Sequence, residues 1–171
     1  QYSLLTEEYE KFSLHFNGDD RVVEKEMEEY NSADYITVPS QFVRNSFIKH
    51  GIDESKLFVN NFGASQFFNP SQPKRGRFTI LYLGSLNIRK GLIYLFEAIN
   101  RLNISPQLFD VWFIGSIDKA VRPFVSKYKK DNWKFFGHVN HHDLSDLVSQ
   151  CHIAVHPSLE EGLSMVIPQM M

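Results

Sequence analysis

Only one cysteine, Cys151, stands in the 171 residues. It cannot close a disulfide within the chain, which excludes a disulfide-stapled scaffold and fits a reducing compartment. No apolar run approaches the length of a membrane span, so no transmembrane helix is expected. A dominant charge sign is also missing. Eighteen lysines and arginines face twenty aspartates and glutamates, which argues against a chain built to coat nucleic acid and against a polybasic membrane tail. The residues after Gln1 are polar and do not read as a secretory signal. Gln1 is not an initiator methionine, so the start of the protein is expected upstream. Internal repeats and low-complexity tracts are absent too. What is present is 43% hydrophobic and 22% charged residues, an ordinary globular composition. The length suffices for one domain with a real core, or for one domain plus part of another. Most of the fifteen phenylalanines are expected in that core.

Residues 1–20 carry no clear pattern. Over 21–30, Val23, Met27 and Tyr30 recur at helical spacing with acids opposite. DYITVP at 34–39 is short and rich in β-branched and aromatic residues, which predicts a strand. Ser40 is placed as an N-cap, Phe42, Val43, Phe47 and Ile48 form a helical stripe after it, and Gly51 marks its end. A second short strand is predicted over Leu57–Val59. NNFGASQFFNPSQPKRG at 60–76 has loop composition and is the candidate linker. Beyond it, strands are predicted over Phe78–Leu83, Phe109–Ile114, 133–136 and 153–156. Helices are predicted over 92–102 through Leu95, Phe96 and Ile99, over 121–128 through Phe124 and Val125, and over 141–150 through Leu144, Leu147 and Val148. The terminal run begins another. Such alternation favours parallel strands joined by crossover helices, hence an α/β fold with a doubly wound parallel sheet.

In sheets of this kind ligands bind at the carboxyl ends of the strands, here Gly84, Gly115, Gly137 and Pro157. Glycine there lets the backbone turn sharply or lie close to a ligand, although a strand-to-helix turn favours glycine anyway. GSLNIRKG at 84–91 is neither a P-loop nor a dinucleotide fingerprint. It puts Arg89 and Lys90 at a helix start, where each cation should cost about 0.3–1 kcal/mol. An anion would reverse that sign, and two cations with backbone N–H groups make a phosphate site; alternatively both side chains extend into solvent. In SLEEGLSMVIPQ at 158–169, Glu160 and Glu161 follow the last strand in the same crevice. An acid there can accept sugar hydroxyls or stabilise a developing positive charge, while Gly162, Leu163 and Ser164 offer N–H groups at the next helix start. The alternative is that the acids only complement the helix dipole. GHVNHHD at 137–143 gathers His138, His141, His142 and Asp143, with His141 and His142 adjacent in a loop-like stretch, so it reads as a polar loop lining the crevice rather than a metal site. His152 and His156 are assigned to packing or a single hydrogen bond. Ser85 is not in a nucleophile elbow.

Three segments, in order, carry a resemblance: ADYITVPSQFVRNSFIKHGIDESKLFVNNFGASQFFNP, YLGSLNIRKGLIYLFEAINRL and FFGHVNHHDLSDLVSQCHIAVHPSLEEGLSMVIPQ. Together they resemble the retaining GT-B glycosyltransferases of group 1 (family four), from about residue 29 to the end. The resemblance implies that 1–60 is the tail of an N-terminal acceptor domain and 61–76 an interdomain linker. Residues 77–171 would be a Rossmann-like, nucleotide-sugar donor-binding domain truncated at its C-terminus. The chain is thus expected to be a fragment that binds donor weakly and does not catalyse transfer alone.

Carried over by residue, the resemblance implies that Lys90 binds the donor diphosphate, with Gly84, Ser85 and Arg89 in the same turn. The family often has an arginine where Ser85 stands, and Arg89 is the nearby substitute. Glu161 matches the first glutamate of the family's Glu, seven residues, Glu motif and would contact the donor sugar near the reacting carbon; Glu161 and Lys90 are the catalytic candidates. Gly162, Leu163 and Ser164 follow it. The second motif glutamate, which holds ribose hydroxyls, falls on Gln169, able to hydrogen-bond but uncharged. Gly137, His138 and Val139 match the loop beside the base. Pro168, two places later than the family's usual proline, is expected to delay the final helix. The implied activity is transfer of a sugar from a nucleoside diphosphate sugar to a glycan or lipid-linked acceptor, with retention, by a hexosyltransferase-type enzyme of surface polysaccharide or lipopolysaccharide synthesis. It needs no metal and no cofactor beyond the donor, and no nucleic-acid partner. The implied location is cytoplasmic, or peripheral at the inner face of the membrane through the acceptor domain. Two other readings stay open: a non-catalytic nucleotide- or phosphate-binding α/β module, and a structural or partner-binding α/β domain.

Overall fold

The structure is a computed structural model that describes residues 2–63, 65, 68 and 76–171. Of the candidate linker 61–76, only residues 61–63, 65, 68 and 76 fall within these; the rest of that expectation lies outside the described residues. Two compact units form, Gln1–Gly63 with Glu161–Met165, and Ala64–Glu160 with Val166–Met171.

The first unit contains α1 (Tyr2–Lys11), α2 (Asp20–Ser32), β1 (Ile36–Val38), α3 (Gln41–Lys49), a 3₁₀ turn at Glu54–Lys56 and β2 (Leu57–Val59). β1 and β2 pair in parallel, Ile36 opposite Leu57. Local chemistry sets the helix starts. The Asp19 carboxylate accepts from Arg21 N before α2, and Ser40 Oγ accepts from Val43 N before α3, as its sequence position predicts. Leu5, Val38 and Leu57 are buried. Helix α1 has no counterpart in the sequence reading. It is held by an aromatic clasp in which Phe16, beyond the helix end, meets Tyr2 and Tyr9 at 5.4 and 5.3 Å, a pattern that no helical periodicity records. The stripes predicted on α2 and α3 lie on helices, but Val23, Met27 and Phe42 are exposed, because a two-stranded sheet offers little surface to cover them.

The second unit contains β3 (Phe78–Leu83), α4 (Leu92–Arg101), β4 (Phe109–Ile114), α5 (Arg122–Tyr128), β5 (Trp133–Gly137), α6 (His141–Val148), β6 (Ile153–Ala154) and α7 (Val166–Met170). All pairings are parallel, in the order β5-β4-β3-β6. Side chains alternate across each strand, so the two sheet faces build two cores. On one face Tyr82 and Phe113 meet Phe96, Trp133 and Tyr128, with Phe96–Trp133 centroids 4.9 Å and Phe113–Trp133 centroids 5.2 Å apart. Each such pair adds about 0.5–1.5 kcal/mol beyond the area it buries. On the other face Leu81, Leu83 and Ile114 pack with Leu144, Leu147, Val148, Val166 and Met170. Thus α4 and α5 cover one face and α6 and α7 the other, the doubly wound arrangement read from the alternation. Among the described residues no helix is long and apolar enough to cross a membrane.

Two local expectations need correction. The strand predicted over 153–156 is only the two residues Ile153–Ala154, at the sheet edge, with Ile153 exposed. Pro168 does not delay the last helix: α7 starts at Val166 and carries Pro168 at its third position. First-turn residues have no intrahelical acceptor for an N–H, so a missing donor there costs little.

Strand β3 lies between β4 and β6, so the chain runs outward from it in both directions. That reversal opens a crevice at the carboxyl ends of the strands, the topological switch point where ligands bind in such sheets.

Candidate functional site

Three strand ends contribute to one cavity of about 210 Å³. Gly84 and Ser85 follow β3, Gly115 and Ser116 follow β4, and His138 and Val139 follow β5, over a floor of Leu83, Ile114 and Leu144. The walls are tied by their backbones. Gly84 N donates to Ile114 O at 2.9 Å, Leu86 N to Ser116 O at 2.8 Å, and Gly115 N to Gly137 O at 2.8 Å. Tyr82, in the core beneath, donates its hydroxyl to Ser85 O at 2.9 Å. Four residues predicted at the site, Gly84, Ser85, His138 and Val139, therefore share one hollow, and Gly137 ends the strand that delivers two of them. Ser116 was not anticipated; it stands just after a predicted strand-end glycine, which was its available signal.

The turn that joins β3 to α4 folds on its own residues. Leu86 and Ile88 point into the core and are fully buried. Between them and the helix, Asn87 Oδ1 accepts from Lys90 N at 2.9 Å, and Gly91 N donates to Ile88 O at 2.8 Å. Two backbone donors that the sequence reading offered to an anion are thus engaged inside the turn. An asparagine inside a loop that runs from Gly84 to Gly91 is a turn-shaping residue type, which is the signal the sequence carries for Asn87. The Lys90 side chain is half-buried and stands one residue before the α4 N-cap at Gly91.

Arg89 is held at both ends by the turn after β6. Its Nη1 lies 3.3 Å from Glu160 Oε2, and its carbonyl oxygen accepts from Leu159 N at 2.9 Å and Ser158 Oγ at 3.4 Å. Next to it the two turns come closer still. Gly91 has φ 68°, and a Cβ there would lie 2.0 Å from Pro157 O, so the contact requires glycine.

Glu161, Gly162, Leu163 and Ser164 group with the first unit. There Gly162 O accepts from Ser40 Oγ at 2.8 Å, and a Cβ on Gly162 would meet Val43 Cγ2 at 2.9 Å. Ser164 is buried and Leu163 exposed. Gln169 lies on α7, half-buried.

The histidines separate into different environments. His141, His142 and Asp143 form the first turn of α6, with the His141 ring edge-on to Phe68 at 5.1 Å. Among the described residues no group of three or more His, Cys, Asp or Glu could hold a metal ion. His152 accepts from Thr79 N through Nδ1 at 3.1 Å and lies on the Phe78 ring at 5.1 Å, the packing-and-hydrogen-bond role its sequence position suggested.

Residues 77–171 match the family model described as "Glycosyl transferases group 1". No curated protein matches the chain. Among solved structures, sucrose-phosphate synthase from Thermosynechococcus elongatus is similar with 20% identity and TM-score 0.71, over 86% of this chain and 41% of that one. The Anabaena HepE protein, in complex with UDP and glucose, aligns with 18% identity and TM-score 0.67 over 81% of this chain and 42% of its own. WaaG, a glycosyltransferase involved in lipopolysaccharide biosynthesis, aligns with 19% identity and TM-score 0.65 over 78% of this chain and 40% of its own. At these identities the likeness is one of fold, and the chain spans about two fifths of the length of each of these structures.

Proposed function

Because the chain belongs to the group 1 glycosyl transferases of GT-B fold, we propose that it is the donor-binding part of an enzyme that transfers a sugar from a nucleoside diphosphate sugar to a glycan or lipid-linked acceptor, with retention of configuration. In this proposal 77–171 is the donor domain, 61–76 the linker and 1–60 the tail of the acceptor domain. The main support is the cavity at the switch point, where Gly84, Ser85, His138 and Val139 converge beside the turn that carries Lys90. The HepE structures that resemble this chain hold UDP, glucose or UDP-glucose, which favours a nucleotide sugar as the ligand class.

The chemistry follows from the leaving group. A sugar–diphosphate bond breaks when negative charge on the departing phosphate is neutralised. Lys90 and the positive end of α4 supply that neutralisation in a partly water-excluded turn, and no divalent metal is required. Glu161 stabilises the cation-like sugar at the reacting carbon. Gln169 hydrogen-bonds the ribose hydroxyls, Gly162, Leu163 and Ser164 line the donor, and the 137–139 loop lies along the base. The acceptor belongs to surface polysaccharide or lipopolysaccharide synthesis, and the enzyme works in the cytoplasm or at the inner face of the membrane.

Thermal shift with UDP, GDP and ADP tests the binding half of the proposal. One of the three is expected to stabilise the chain, and Lys90→Ala to remove the shift. Sugar transfer by the full-length protein, abolished by Glu161→Ala, tests the catalytic half. Absence of any shift with all three nucleotides refutes donor binding; transfer that survives Glu161→Ala refutes the assigned role.

A further inference from the structure

We propose that Arg89 is a positioning residue and not a diphosphate ligand: its ion pair with Glu160 fastens the turn after β3 to the turn after β6, and so fixes the backbone that presents Lys90. The proposal rests on the donor-binding function above.

Arg89 is gripped by three consecutive residues. Ser158 Oγ and Leu159 N donate to its carbonyl oxygen, and the Glu160 carboxylate meets its guanidinium at 3.3 Å. Ser158 Oγ also lies 3.2 Å from Glu160 O, which shapes that turn from within. The residues concerned are 69 to 71 positions from Arg89 in sequence and meet it because β3 and β6 are neighbours. On the other side of Lys90, Gly91 packs against Pro157 so closely that no Cβ fits. The Lys90 amide itself is tied to Asn87. Lys90 is therefore bracketed along the chain: Arg89 before it and Gly91 after it are both fastened to 157–160.

Charge argues the same way. A guanidinium with a carboxylate at 3.3 Å is largely neutralised, and a pyrophosphate approaching Arg89 would meet Glu160 as well. The pair is partly exposed, 42% for Arg89 and 25% for Glu160, so its coupling is expected to be modest, about two- to fivefold in an equilibrium constant. Such a value suits a device that narrows the orientations of its neighbour.

The test is a double-mutant cycle on the chain with Arg89→Gln, Glu160→Gln, both together, and the exchange Arg89→Glu/Glu160→Arg. Urea unfolding without ligand is read first. Each single change should lower the folding constant about two- to fivefold, the double no more than the worse single, and the exchange should recover most of the loss. Affinity for UDP, or for GDP or ADP if that is the nucleotide that stabilises the chain, is read second. Both single changes should weaken it about two- to fivefold, and the exchange should restore it. Tighter binding in Glu160→Gln with none in the exchange variant would show that Arg89 contacts the diphosphate, which overturns the proposal. Additive unfolding effects, or coupling in unfolding with unchanged affinity in every variant, overturn it as well. Should the wild type bind none of the three nucleotides, the functional proposal fails, while the unfolding cycle still decides whether the pair exists as a fastener.

Discussion

Gly115 touches Gly84 backbone to backbone: a Cβ on Gly115 would lie 2.0 Å from the Gly84 carbonyl oxygen. This contact sets the spacing between the turns after β3 and β4, and so the width of the cavity they line. Gly115 also has φ 142°, outside the range of L side chains, while Gly84 has φ 135° with nothing near its absent Cβ. The two glycines thus separate strain from collision. Gly84→Ala should lose the strain alone, about 1–3 kcal/mol. Gly115→Ala should lose that and more, because a strand-end backbone must move. Urea midpoints at unchanged m-value would show the order, and equal losses would deny the contact its role.

A second expectation concerns the metal. If Lys90 and the α4 N-terminus neutralise the departing diphosphate, the thermal stabilisation given by the bound nucleotide should persist in EDTA and shrink as sodium chloride screens the lysine. A shift that vanishes in EDTA and returns with magnesium or manganese would transfer that role to a cation.

Strands β3 and β4 could be bounded to the residue from sequence, because a central parallel strand is covered on both faces and reads as a continuous apolar run. The alternation of strand and helix also revealed the doubly wound sheet, and the glycines at the ends of β3, β4 and β5 marked the edge of the sheet where the cavity lies. Other features stayed hidden for identifiable reasons. Helix α1 depends on Phe16 beyond its end. The edge strand β6 is cut to two residues because one neighbour, β3, pairs with it among the described residues. The bond between Ser40 and Gly162 spans 122 positions, and the Arg89–Glu160 pair spans 71; no local pattern encodes either. The motif at 84–91 marked the turn after β3, yet not that its amides at Lys90 and Gly91 are engaged within it.

At the opposite end of the sheet, the buried Asp110 carboxylate is shared by two exposed cations, Lys134 Nζ at 3.0 Å and Arg77 Nη1 at 3.4 Å. Arg77 also donates to Pro106 O and Phe109 O, and the Lys134 ammonium lies over the Trp112 ring at 5.4 Å. Either cation alone can still pair the acid. Lys134→Ala and Arg77→Ala should therefore each cost about 1 kcal/mol or less. The double variant leaves a buried charge unpaired and should cost about 3–5 kcal/mol. Asp110→Asn in that double background should recover much of the loss. Simple additivity in urea unfolding would mean that the two cations do not back each other.

Cys151 gives a test of the α6 face by chemistry and by pH. Its thiol donates to Leu147 O at 3.4 Å and packs with the core that includes Leu144, and burial pushes its pKa up to about 12. Thiolate is the reactive form, so native alkylation by iodoacetamide at pH 8 should be slow and should accelerate with urea in step with unfolding. The sign of the pH effect follows from linkage. An unfolded thiol ionises near about 8.5, whereas the folded one holds its proton to about 12. Between those values the unfolded chain binds fewer protons than the folded one, so this residue's contribution is fully present below the lower value and declines as pH rises toward the upper. The difference in unfolding free energy between wild type and Cys151→Ala should thus be flat below pH 8 and shift against the wild type above pH 9. Subtracting the variant cancels the lysines and tyrosines that titrate in the same range. A difference that stays flat to pH 11, together with fast native alkylation, would place the thiol in water and remove it from the packed face that α6 presents to the sheet.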